Sequence, residues 1–86
     1  MPEISRFYGI VIAIYWKDHG PPHFHAKYGG RRAAFTIEDL RLVEGRLPPR
    51  VTALVLEWAF AHRDELMEDW KLATAQKPLK AIQPLD

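Results

Sequence analysis

The stretch "HFHAKYGGRRAAFTIED", residues 23–39, reads as two strands joined by a tight turn. Residues 23–28 alternate polar and apolar side chains with the period of two that a half-buried strand requires. Gly29 and Gly30 follow, and such a pair suits the turn of a β-hairpin. Residues 31–39 then alternate again, with Ala33, Phe35 and Ile37 on one side. The stretch predicts an antiparallel hairpin with one face in the core.

Two further segments extend this hairpin into a sheet. Residues 7–16, "FYGIVIAIYW", are rich in β-branched and aromatic side chains and predict a strand that is apolar on both faces. Residues 40–45, "LRLVEG", predict a short fourth strand. Because all these segments are joined by short connections, we expect a small antiparallel β-meander of three to four strands.

The second half of the chain predicts one long helix over residues 47–76. Pro48 and Pro49 suit its first turn, and Pro78 ends it. Apolar side chains recur at spacings of three or four and form one stripe: Val51, Leu54, Val55, Trp58, His62, Leu66 and Trp70. The expected fold is therefore α+β in a single domain, residues 1–86, with the meander packed against one long C-terminal helix.

Composition narrows the classes of protein. An apolar fraction of 48% is too high for a disordered chain, and the absence of cysteine excludes disulfides and thiolate metal sites. The net charge of +1 gives only weak support for a nucleic-acid partner. The first residues do not resemble a signal peptide, and no apolar run can span a bilayer. We expect a cytoplasmic protein with no membrane partner.

The segment "DHGPPHFHA", residues 18–26, carries the candidate chemistry. His23 and His25 are two residues apart on a predicted strand, so their side chains share a face and can chelate a metal such as zinc. Asp18 or His19 offers a third ligand. A structural zinc site has four ligands, and the chain has no cysteine to complete one. The sequence therefore favours no metal, and we expect no cofactor.

Catalysis is an alternative use of the same segment. His19, His23 and His25 can act as acids or bases near neutral pH. Lys27, Arg31 and Arg32 lie nearby and can hold a phosphate. Such a face suits a small, metal-independent ribonuclease. The stretch has no serine or threonine nucleophile, and the net charge is low for a ribonuclease. We therefore expect a protein without enzymatic activity.

A second apolar stripe on the predicted helix indicates a partner surface. It consists of Leu56, Phe60 and Met67. Together with the doubly apolar first strand, it gives more apolar surface than one contact between a sheet and a helix can cover. We expect this stripe to contact another small protein or a second copy of the chain.

Several motifs resemble one bacterial family. The strings "ISRFYGIVIAIYW" (residues 4–16), "DHGPPHFHAKYG" (18–29) and "LVLEWAFAHRDEL" (54–66), followed by Trp70 and "IQPL", are similar to the family of the domain of unknown function 4160. The resemblance runs from residue 4 to residue 85. It implies a small bacterial protein, often encoded beside a second small domain of unknown function, as in toxin–antitoxin pairs. The resemblance identifies no catalytic residues in this chain.

These observations lead to one expected function and two alternatives. We expect a protein-interaction module that forms one half of a two-gene, toxin–antitoxin-like pair. The alternatives are a small ribonuclease-like toxin that uses the histidine and arginine face, and a metal-binding protein that uses its histidines.

Overall fold

The computed structural model of the protein describes residues 2–16 and 18–86, which form an α+β fold. The strands are β1 (Glu3–Phe7), β2 (Ile10–Ala13), β3 (His23–Tyr28), β4 (Arg31–Thr36) and β5 (Leu42–Gly45), and the helices are α1 (Pro49–Ala61) and α2 (Arg63–Thr74). The strands form one antiparallel sheet in the order β1-β2-β3-β4-β5. The predicted α+β class and the antiparallel meander are confirmed, and the number of elements differs.

The prediction of three to four strands was wrong because residues 7–16 contain a turn. Tyr8 and Gly9 both have positive φ, at 52° and 78°, and Phe7 pairs directly with Ile10. Two central residues with positive φ form the tight hairpin turn whose twist matches that of the flanking strands. The segment therefore ends β1 and begins β2, and the sheet has five strands.

The prediction of one long helix was also wrong, because the chain leaves the helical conformation at His62. This residue has φ −125° and ψ 26°, and its amide donates to the Ala59 carbonyl oxygen at 3.1 Å. On the far side of the break, Arg63 Nη1 donates to the Glu38 carbonyl oxygen at 2.8 Å, which ties the start of α2 to the loop after β4. Because of this break, α2 is a separate helix, and its first residue makes a tertiary hydrogen bond.

The core lies between one sheet face and the helices, and Trp58 of α1 is at its centre. Trp58 is 0% exposed, and its ring centroid lies 5.4 Å from that of Phe7 and 6.2 Å from that of Phe24. Phe24 stacks on Phe35 across β3 and β4, with centroids 5.6 Å apart. The main apolar stripe predicted for the helix therefore faces the sheet.

The segment after α2, residues 75–86, has no regular secondary structure but packs onto the core. The amide of buried Ile82 donates to the Ile4 carbonyl oxygen at 2.8 Å, and Trp58 Nε1 donates to the Gln83 carbonyl oxygen at 2.8 Å. The segment thus joins β1 to α1. Within the described residues, no helix has the length and apolar character needed to cross a membrane.

The sheet face turned away from Trp58 carries side chains in two rows that cross the strands. Register places Arg6, Val11, Lys27 and Arg32 in the first row. It places Ala13, His25, Ala34 and Glu44 in the second row. Since side chains alternate between the faces of a strand, both rows lie opposite the buried face that carries Phe24 and Ala26.

Asp69 of α2 carries a buried carboxyl group. We therefore expect stability to depend on pH in an unusual way. Its Oδ1 accepts the Lys80 amide at 2.8 Å, whereas its buried Oδ2 has no partner among residues 2–16 and 18–86. Burial raises the pKa of Asp69 above its ordinary value of 3.8, although the Lys80 amide opposes this. The native state therefore holds this proton more tightly than the unfolded chain does, so this contribution to stability is lost as pH rises through the raised pKa.

We expect Asp69→Asn to remove this loss. Measured by urea unfolding between pH 4.5 and 7.5, the stability of the variant relative to wild type should increase with pH. The same change at exposed Asp64 of α2 is the control for loss of one carboxylate from that helix. A difference between Asp69→Asn and wild type that stays constant over this pH range would contradict the prediction.

Candidate metal centre

Three of the candidate residues meet at one end of the sheet. Asp18, His23 and His25 each place one ligand atom so that all three atoms lie within 4.8 Å of one another. Asp18 Oδ2 is 2.9 Å from His23 Nε2 and 3.4 Å from His25 Nε2. One carboxylate oxygen therefore faces two imidazole nitrogens.

The local sequence explains how these side chains converge. The period of two on β3 places His23 and His25 on the same side of the strand. The loop between β2 and β3 brings Asp18 over them, and this loop is fixed at its end where the Ile37 amide donates to the Pro22 carbonyl oxygen at 3.0 Å. The His19 amide donates to Asp18 Oδ1 at 3.0 Å, which leaves Oδ2 directed at the histidines.

A backbone contact orients the ring of His23. Its Nδ1 lies 2.9 Å from the Pro21 carbonyl oxygen. Since a carbonyl oxygen only accepts, Nδ1 must carry a proton, and Nε2 is the nitrogen that faces Asp18. Metal-binding histidines commonly donate one ring N–H to a backbone carbonyl while the other nitrogen binds the ion. His23 has this arrangement.

The protonation equilibria also suit a ligand set. Partial burial pushes the pKa of Asp18 upward, but the His19 amide and the charges of His23 and His25 outweigh it and hold that pKa below 3.8. Burial lowers the pKa of His25 below 6.5, and the charge of His23 adds to this effect against the opposing influence of Asp18. Near neutral pH the carboxylate is ionised and His25 is neutral, which are the forms that bind metal ions.

Aromatic side chains shelter the cluster without closing it. The His25 ring lies edge-on to Tyr15 at 4.6 Å between centroids, and the His23 ring lies 5.1 Å from that of Trp70 in α2. The side chains of His23, His25 and Asp18 keep 13%, 19% and 26% of their surface exposed. A ligand from solvent can therefore reach the three polar groups.

The other predicted chemical residues lie outside this cluster. His19 is exposed, and its contact with Asp18 is made by its backbone amide. Arg31 lies opposite Tyr28 at the far end of the hairpin, three residue pairs from His25. Arg32 is exposed in the row next to that of His25.

The predicted partner stripe is divided between the surface and the core. Phe60 is 67% exposed, whereas Leu56 and Met67 are partly buried against the core. The Arg63 guanidinium carbon lies 5.1 Å from the centre of the Phe60 ring. Phe60 also borders a concavity of about 350 Å³ at the break between the helices, lined by residues 60–65. This concavity lies apart from the histidine cluster.

Sequence reasoning missed two neighbours of the cluster, Tyr15 and Trp70, which form its walls. Lys27 lies two residues beyond His25, on the face where alternation predicted it. The position of Trp70 depends on the helix break at His62, which no sequence pattern indicates.

The comparisons with known proteins identify a family and no individual relative. No curated protein and no solved structure matches the chain. The family described as domain of unknown function (DUF4160) matches residues 9–71, a range that includes Asp18, His23 and His25. Because this match covers well over half of the chain, the protein belongs to the DUF4160 family.

Proposed function

We propose that this protein binds a divalent transition-metal ion through Asp18, His23 and His25. The observation that carries the proposal is the convergence of two imidazole nitrogens on one carboxylate oxygen, at 2.9 and 3.4 Å. The sequence alone favoured no metal because a fourth ligand is missing. A catalytic type of site needs only three protein ligands, since a water or substrate takes the remaining position.

The distances between the ligand atoms support this proposal. Two ligands that are each about 2.05 Å from a zinc ion lie about 3.3 Å apart at a tetrahedral angle and about 2.9 Å apart at a right angle. The contacts of Asp18 with His23 and His25 fall at these two values. Two histidines and one carboxylate suit zinc and iron(II), whereas magnesium and calcium prefer oxygen ligands alone.

An ion held in this way has open positions toward solvent. It would polarise a carbonyl or phosphoryl oxygen or lower the pKa of a bound water. The partial exposure of the three side chains supports access by an external ligand. The proposed function is therefore an open metal centre rather than a structural metal site.

Zinc titration of protein prepared without a histidine tag tests the proposal. We expect wild type to bind one zinc ion per chain by calorimetry, and cobalt(II) to give visible absorption bands in the same site. His25→Ala and Asp18→Asn should weaken zinc binding by roughly 100-fold or more, because loss of even an outer partner costs about 10–100-fold.

His19→Ala is the matched control, since it removes an exposed histidine from the same segment. It should bind zinc as wild type does. Circular dichroism checks that each variant is folded. No zinc binding by wild type, or equal losses in His19→Ala and His25→Ala, would overturn the proposal.

A second candidate function is an interaction module in a toxin–antitoxin-like pair. The observation that favours it is strand β5, which is exposed along its length, with Leu42 and Val43 46% and 48% exposed. An edge strand of this kind can pair with a strand of another protein. Exposed Phe60 adds a second apolar contact point. Co-purification with the protein encoded beside it tests this candidate, and failure of the two chains to associate would remove it.

A further inference from the structure

The surface next to the proposed metal centre carries an unexplained pair of like charges. Lys27 of β3 lies directly opposite Arg32 of β4, and both belong to the row next to that of His25. Like charges directly opposite each other destabilise a sheet. Among residues 2–16 and 18–86, neither side chain forms an ion pair with an acidic group. An anion bound between the two side chains would offset this repulsion.

Register places this pair within reach of the metal ligands. His25 and Lys27 are two residues apart on one strand, so they share a face and are separated by about 6.6–6.8 Å along it. Ala34 lies opposite His25, and Arg32 is two residues from Ala34 on β4, so Arg32 shares the face of His25. A long lysine or arginine side chain easily spans such a distance.

We propose that the proposed metal centre takes a phosphate ester as its ligand, with one phosphoryl oxygen on the ion and the others bound by Lys27 and Arg32. This inference rests on the proposed function. An arginine fork and a lysine ammonium are the groups that proteins use to hold phosphoryl oxygens. The divalent ion would be a third electropositive group in contact with the phosphoryl oxygens.

Glu44, an acidic residue beside the site, would repel a phosphate, so the ester is expected to bind away from it. Glu44 lies opposite Ala34, in the row of His25 and on the side away from β2. Lys27 and Arg32 lie toward the hairpin end of the sheet, so the anion avoids Glu44. In this proposal the bound phosphate lies between His25 and the pair of Lys27 and Arg32.

Two exposed tyrosines at the hairpin end of the sheet, beyond the pair, favour a nucleotide as the source of the phosphate. Tyr28 lies opposite Arg31 next to the turn, with its side chain on the other face of β3 from Lys27. Tyr8 is in the neighbouring hairpin turn, whose Gly9 packs close to the Tyr28 ring. Both tyrosines are exposed. Stacking on aromatic side chains, beside cations that contact the backbone, is how proteins bind single-stranded nucleic acids.

Binding of a fluorescently labelled ten-nucleotide single-stranded RNA to zinc-loaded protein tests this inference. We expect the double variant Lys27→Ala, Arg32→Ala to bind zinc as wild type does and RNA at least 10-fold more weakly. Because both side chains hold the same phosphate, the slope of log affinity against log salt should become shallower by about 0.7. His25→Ala should also weaken RNA binding, through loss of the ion.

The control double variant is Arg50→Ala, Lys71→Ala, which removes two exposed positive charges from the helices. It should retain RNA affinity. Competition by adenosine 5′-monophosphate and by inorganic phosphate separates the possible sources of the bound phosphate. Displacement of the labelled RNA by RNA alone indicates a nucleic acid. Displacement by the small anions at a similar phosphate concentration indicates a small ester. No zinc binding by wild type would overturn both proposals. Zinc binding combined with equal RNA affinity in the two double variants would overturn only this one.

Discussion

Replacing Trp58 with alanine is expected to unfold a large fraction of the protein at room temperature. Its side chain is 0% exposed and contacts aromatic rings from β1 and β3. Truncation of a buried tryptophan costs about 3–5 kcal/mol. At about 0.05–0.15 kcal/mol per residue, a domain of this size has a free energy of unfolding of about 4–13 kcal/mol. So small a domain lies toward the lower end of this range, where the truncation leaves little stability. Far-ultraviolet circular dichroism and urea unfolding measure the effect.

A second variant separates packing from hydrogen bonding. Trp58→Phe keeps an aromatic ring in the core but removes the donor to the Gln83 carbonyl oxygen, which holds residues 75–86 in place. We expect an intermediate loss, about 1–3 kcal/mol, because the acceptor is left without its partner. Phe60→Ala on the same helix is the control, since an exposed side chain costs about 0.5 kcal/mol or less. A native spectrum and an unchanged urea midpoint for Trp58→Ala would show that this core assignment is wrong.

Sequence patterns predicted those parts of the fold where alternation and turn chemistry agree. The hairpin of β3 and β4 has clean alternation on both sides of Gly29 and Gly30, and β3 spans the predicted residues. The turn at Tyr8 and Gly9 was missed because apolar residues flank it on both sides, so no polar loop marks it. A tyrosine with positive φ is also uncommon, and only the sheet around it makes that conformation favourable.

The helix break illustrates a feature that local sequence does not encode. His62 is neither glycine nor proline, and the stripe from Trp58 to Leu66 continues through it with helical spacing. Both flanking residues are fully buried, so the pattern correctly identified the buried face. The contact of Arg63 with the Glu38 carbonyl oxygen is tertiary, and it holds the chain beyond the break.

The candidate site was predictable as a pair and not as a triad. The period of two placed His23 and His25 together, but Asp18 and His19 were equally good third ligands by sequence. The loop conformation selects the Asp18 carboxylate and leaves His19 exposed. Arg31 and Arg32 are adjacent in sequence, yet alternation directs them to opposite faces of β4. Lys27 is thus the cation that shares a face with Arg32.

Gly45→Ala is expected to detach β5 from the sheet. Gly45 has φ 73°, and a β-carbon there would lie 2.2 Å from the Arg32 carbonyl oxygen and 3.0 Å from the Ala33 α-carbon. Both neighbours are backbone atoms of β4, so no flexible side chain can move aside. Strain at positive φ costs about 1–3 kcal/mol and forced overpacking about 1–3 kcal/mol more, so we expect a total loss of about 2–6 kcal/mol.

The other glycines of the sheet provide a graded control series for this prediction. Gly29 has φ 60° with open space around its α-carbon, so Gly29→Ala should show the backbone cost alone. Gly30 has open space and no positive φ, so Gly30→Ala should be nearly neutral. Urea unfolding should rank the losses Gly45, Gly29, Gly30, and amide exchange should rise selectively in β5 for Gly45→Ala. Equal losses at Gly45 and Gly29 would mean that β5 can shift to admit a methyl group. In that case its pairing with β4 is looser than the close approach at Arg32 implies.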